Sequence, residues 1–117
     1  MTTRGRLKGR ALPPAIQEMA RRITKGFNPE RIILFGSYAR GTAGPDSDAD
    51  LLVVMEPKGS KREQATAIDV ALLGIPLPAD VLVVRPDEIA HFGLPRGSVL
   101  DEALREGVVL HEREHVG

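Results

Sequence analysis

Two aspartates set two residues apart, Asp48 and Asp50, open an apolar run from Leu51 to Met55. A run of this length bounded by turn residues reads as a buried strand, and a strand sends residues i and i+2 to the same face. The two carboxylates therefore project together, which costs stability unless a cation lies between them. Upstream, a second apolar run, Ile32 to Phe35, stops at Gly36-Ser37. Gly permits positive φ or close backbone approach. Ser is a favoured N-cap, so Ser37-Tyr38-Ala39-Arg40 can begin a short helix with free N–H groups pointing outward. Such a helix start attracts phosphate through those groups and its dipole. A phosphate cradle facing paired carboxylates is the equipment of phosphoryl or nucleotidyl transfer. Arg40 is either a solvated helix residue or a cation that neutralises phosphate charge. Asp80 stands at the start of a third apolar run, Ala79 to Val84. If that strand pairs with the one holding Asp50, facing Cβ atoms stand about 5 Å apart, and Asp80 joins the carboxylate pair.

The same residues have plainer or rival readings. Asp46-Ser47-Asp48 could be no more than an Asx-rich turn entering a strand. The run from Asp46 to Asp50 imitates a calcium loop, but the Gly and Glu that such a loop requires are replaced by Leu51 and Pro57. Gly36 and Gly41 are spaced as in a P-loop, yet Thr42-Ala43 stands where the phosphate-binding Lys and hydroxyl residue belong. His111-Glu-Arg-Glu-His115 fits the zinc-protease pattern, which needs both His on one helix in an enclosed site. Here it follows a strand, and reads as a solvated tail.

These side chains need elements to hold them. Pro13-Pro14 starts a helix, Pro being tolerated in a first turn; Ile16, Met19, Ala20 and Ile23 form its apolar face, and Lys25-Gly26 ends it. Asn28-Pro29 turns the chain into the first strand. The strand from Asp48 to Met55 is apolar on both faces, the mark of a central strand. Ser60-Lys-Arg-Glu63 matches a capping box and leads a helix to about Leu73, with Ala67, Ile68, Ala71 and Leu72 as the expected buried stripe. Pro86-Asp87-Glu88 begins a short helical segment with Ile89 and Phe92 apolar, and Pro95-Arg96-Gly97 turns the chain. Ser98 caps a last helix, Val99 to Glu106, with Gly107 at C′. Val108 to Leu110 closes the sheet. This gives one domain over residues 13–111, with a basic tail over 1–12 and a frayed end over 112–117.

The whole chain has 117 residues, 42% hydrophobic and 27% charged, a composition for one compact core. Sixteen basic and sixteen acidic residues balance, which argues against broad capture of nucleic acid. Aromatics are 3% with no Trp, so stacking platforms for single strands are not expected either. There is no Cys, hence no disulfide and no thiolate-bound zinc. No apolar stretch is long enough to span a bilayer, and the first residues lack the apolar region of a signal peptide. The expected location is the cytoplasm.

Gly-Ser-Tyr-Ala-Arg-Gly at 36–41, followed after a polar spacer by Ser-Asp-Ala-Asp-Leu at 47–51, resembles the nucleotidyltransferase superfamily that includes DNA polymerase beta. It is more closely similar to the minimal nucleotidyltransferases, often found as antitoxins beside HEPN-domain toxins. The resemblance implies an α/β (α+β) palm, a short mixed sheet with helices packed against it. It implies transfer of a nucleoside monophosphate from a nucleoside triphosphate, above all ATP, to an acceptor hydroxyl. Asp48 and Asp50 would hold a pair of Mg²⁺ ions, with Mn²⁺ as an alternative. Asp80 would complete the metal shell and act as general base. Gly36, Ser37 and Arg40 would hold the nucleotide. A protein hydroxyl on a cognate HEPN toxin is the implied acceptor. The alternatives are an idle antitoxin acting by contact, or a small-molecule enzyme of the aminoglycoside type with its pocket completed in a homo-oligomer.

Overall fold

The structure is a computed structural model that describes residues 12–90 and 97–113. The expected tail up to residue 11, Phe92, the Pro95-Arg96 turn and the end from 114, with His115, lie outside the described residues. Among the described residues five helices and four strands follow in order: α1 (Pro14–Phe27), β1 (Arg31–Phe35), α2 (Ser37–Arg40), β2 (Ala49–Val54), α3 (Lys61–Ala71), β3 (Ala79–Val84), α4 (Pro86–Ala90), α5 (Val99–Glu106) and β4 (Val108–Glu112). The sheet order is β3-β2-β1-β4. β1 runs antiparallel to β2 and β4, whereas β2 and β3 are parallel. The parallel pair requires a crossover, which α3 supplies.

Alternation along the central strands divides the core. Ile32, Leu34, Leu51 and Val53 point to the face covered by α1 and α3, where Ile16, Met19, Ile23, Ile68 and Leu72 meet them. Ile33, Phe35, Leu52, Val54 and Val84 point to the other face, against Ala103, Leu100 and Leu104 of α5. β2 is buried on both faces along most of its length, as its unbroken apolar run requires.

Local chemistry accounts for the helix ends, with some departures from expectation. α1 passes Lys25-Gly26 and stops at Asn28, which takes the left-handed conformation (φ 48°) and donates its N–H to Thr24 O at 3.0 Å. Asn adopts that conformation more readily than most residues. α3 opens with the expected capping box: Glu63 N–H donates to Ser60 Oγ at 3.0 Å, and Ser60 N–H donates to Glu63 Oε1 at 2.8 Å. Ser60→Ala should therefore cost about 1 kcal/mol, read as a lower urea midpoint at unchanged slope. Its buried stripe is Gln64, Ile68 and Leu72, and Ala67 is exposed. Gln64 can be buried because its carboxamide oxygen accepts the Lys58 N–H at 2.9 Å. Arg22 of α1 closes the far end of α3 by donating to the carbonyls of Ala71 and Leu73 at 3.1 and 2.9 Å.

Gly107 is extended (φ −77°, ψ 166°), not left-handed. Close packing accounts for Gly at this position: a Cβ there would run into the Ala103 carbonyl and the Ile33 side chain. β4 also reaches further than Leu110. Glu112, expected in a frayed end, is its last residue, and Arg113 N–H donates to Glu30 O at 2.8 Å.

Candidate functional site

Gly36 ends β1 and caps α2 with φ 75° and ψ −154°, a region essentially reserved for Gly. The reason lies on the next strand. Asp50 is the register partner of Phe35, and its carboxylate lies where a Cβ on residue 36 would go. Ser37, expected as the cap, is instead the first residue of α2, so its hydroxyl is not committed to capping. The Gly36 carbonyl accepts from Ala39 N–H and Arg40 N–H at 3.1 and 3.0 Å, and the N–H groups of Ser37 and Tyr38 precede these bonds.

Asp80 is the register partner of Asp50 across the parallel β2–β3 pair. Alternation puts both on the α5 side of the sheet, with Leu52 and Val54 further along β2 and Leu82 and Val84 further along β3. An open cavity of about 580 Å³ results, lined by Phe35, Gly36, Ser37, Arg40, Asp50, Asp80, Val81, Leu82, Val99 and Glu102. Here α5 does not cover the sheet, and Leu82 and Val99 remain 38% and 55% exposed. Asp48 precedes β2 by one residue, is exposed, and does not line the cavity. Among the described residues no three His, Asp or Glu side chains converge closely enough to hold a metal as they stand.

Charge nonetheless accumulates at this point. Burial, then the charges of Asp80, Asp48 and Glu102, push the Asp50 carboxyl above its ordinary value; Arg40 opposes them as the smallest influence. Asp69 on α3 is also raised, by burial and then by Asp80. Arg40 Nη1 donates to Glu102 Oε2 at 2.8 Å. Of the six residues singled out in the sequence, Gly36, Ser37, Arg40, Asp50 and Asp80 thus share one cavity, and Asp48 is not among its lining residues. Glu102 gave no signal of its own, because an acidic residue in the first turn of a helix is ordinary dipole chemistry.

Comparison with known proteins decides the family. The model of the nucleotidyltransferase domain matches residues 16–109, most of the chain. The chain belongs to that family. A Methanocaldococcus jannaschii protein provisionally named a protein adenylyltransferase is 40% identical over 42 residues, which is 36% of this chain and 42% of that protein. The match thus spans under half the length of either chain. Two crystal structures share the fold. One is a Sulfolobus solfataricus protein provisionally described as a nucleotidyltransferase, with TM-score 0.57 and 20% identity over 85% of this chain and 78% of that one. The other is a toxin-antitoxin with AMP-PNP, with TM-score 0.57 and 20% identity over 87% of this chain and 76% of that one. The expected α/β palm with a short mixed sheet is therefore the fold observed. Among the described residues no helix is long and apolar enough to cross a membrane.

Proposed function

We propose that this nucleotidyltransferase moves AMP from ATP to a hydroxyl of a cognate toxin protein, in a reaction that depends on Mg²⁺. The observation that carries the reading is the apposition of the Gly36-Ser37 helix start and the Asp50–Asp80 pair in one cavity. Asp48, Asp50 and Asp80 would hold the metal. Their donors are all oxygens, the set that Mg²⁺ and Mn²⁺ prefer, and the crowding of charge at Asp50 is what a cation relieves. When bound, the ion supplies Lewis-acid stabilisation of phosphoryl oxygens. Ser37, the backbone N–H groups beside it and Arg40 hold the terminal phosphates. The acceptor oxygen bonds to the α-phosphorus as the bond to the bridging oxygen breaks. Pyrophosphate leaves with that electron pair, and the hydroxyl proton passes to the Asp80 carboxylate.

A protein acceptor is favoured by the open cavity and by the balanced charge of the chain. The relative named for protein adenylyl transfer and the toxin-antitoxin neighbour support it, and the motif resemblance points to a HEPN toxin. Among the described residues no element lies over Leu82 and Val99, so placement of the nucleophile falls to the partner, and transfer requires an approach of about 3–3.5 Å to phosphorus. The test is incubation with α-labelled ATP and Mg²⁺, alone, with the partner toxin, and with an aminoglycoside or tRNA instead. Strong labelling of the partner, lost on chelation of the metal, is the expected result. Label only on a small molecule or RNA overturns the protein acceptor. Neutralisation of the toxin with no label anywhere overturns catalysis and leaves an antitoxin acting by contact.

A further inference from the structure

Arg40 and Glu102 come from elements 62 residues apart and meet at the cavity that holds Asp50 and Asp80. Among the described residues lining that cavity, Arg40 is the only cation. Its guanidinium is already engaged by Glu102 at 2.8 Å, with the two side chains 48% and 38% exposed. α5 has anchors other than Glu102. That helix packs on the sheet through Leu100, Ala103 and Leu104. Its start is capped by Ser98, whose Oγ accepts Asp101 N–H at 3.1 Å, and by Asp101, which accepts Gly97 N–H at 2.9 Å. What Glu102 does is place an anion on the guanidinium, where the proposed function puts a phosphate.

We propose that Glu102 is a specificity-determining residue that competes with the terminal phosphates of a nucleoside triphosphate for Arg40. The inference rests on the reading of this cavity as a nucleotide site. In the free protein the carboxylate pairs with Arg40. A terminal phosphate carries more charge than a carboxylate and offers further oxygens for charge-assisted bonds, so it displaces the pair. AMP lacks the terminal phosphates that the proposed function assigns to Arg40, so its binding should be indifferent to the pair. Glu102 therefore lowers triphosphate affinity selectively. After transfer it is in place to retake Arg40 and so to favour departure of pyrophosphate.

Calorimetry with AMP-PNP and with AMP, at fixed Mg²⁺, tests this on the wild type, Glu102→Gln, Arg40→Gln and the double variant. Glu102→Gln should tighten AMP-PNP binding by about threefold to fivefold, the scale of an exposed ion pair, and leave AMP unchanged. Glu102→Ala should do the same where the Gln amide rebuilds a bond to Arg40. In the Arg40→Gln background the gain should vanish, which a merely structural role of Glu102 does not predict. Weaker AMP-PNP binding on loss of Glu102 would mean that it positions Arg40, and would overturn the inference. So would an equal gain for AMP, a gain that survives in Arg40→Gln, or no change in a wild type that binds AMP-PNP. A wild type that binds no triphosphate overturns the nucleotide-site reading, and this inference falls with it.

Discussion

Asp50→Asn should lower nucleotidyl transfer by more than about a hundredfold, the upper range for partners of metal ligands, while leaving the metal-free fold as stable as the wild type or more so. Burial and the neighbouring charges of Asp80, Asp48 and Glu102 raise the Asp50 carboxyl above the ordinary aspartate value of 3.8. An acid with a raised folded-state value is destabilising when ionised. The penalty is absent below 3.8, grows as pH rises from there to the raised value, and is complete above it. Asn removes the penalty, so the stability advantage of the variant should be greatest at neutral pH and vanish in acid. Saturating Mg²⁺ should reverse the sign, because a cation bound only by folded wild type adds stability as its concentration exceeds Kd. Thermal unfolding with and without Mg²⁺, at neutral and acid pH, reads all three effects. A merely structural aspartate in β2 predicts the relief of the buried charge but neither the loss of transfer nor the reversal, so equal transfer and no Mg²⁺-dependent reversal would overturn the site.

Asp50 and Asp80 were legible because strand periodicity is a local property. Once two apolar runs each begin with an acid, parallel pairing brings the acids side by side, and the register of β2 on β3 does so. The spacing of Ile16, Met19 and Ile23 and the Ser60–Glu63 box were legible for the same reason. What escaped depends on contacts between distant segments. Both Gly and Ser are acceptable caps, and what requires Gly at 36 is the Asp50 carboxylate on another strand. Ala67 looked like the better core residue than Gln64 until a loop N–H at Lys58 gave the amide a partner. Gly107 suited a left-handed cap, but it is extended, and the Gly is required by the tight fit against Ile33 and Ala103. Glu102 matters only because α5 docks beside α2, which no window of sequence discloses.

Gly36→Ala should damage both the fold and the chemistry. At φ 75° and ψ −154° an L-residue carries about 1–3 kcal/mol of backbone strain, and the added Cβ would meet the Asp50 carboxylate besides. The strain is met by movement of α2 away from β2, by rotation of Asp50, or by both. Rotation is resisted, since Phe35 flanks Asp50 on one side and Asp80 on the other. Either movement separates the Ser37 end of the cavity from the carboxylates by a good part of an ångström. Misplacement on the order of 1 Å costs about a hundredfold in rate, so transfer should fall by at least about that factor. Stability should fall by about 1–3 kcal/mol, read as a drop in the urea midpoint. The two losses separate experimentally, because a domain that has lost only part of its stability is still mostly folded in buffer. Rates measured there, well below the unfolding transition, report geometry alone. An Ala variant that is folded and transfers at the wild-type rate would show that the close approach of Gly36 to Asp50 has no part in catalysis.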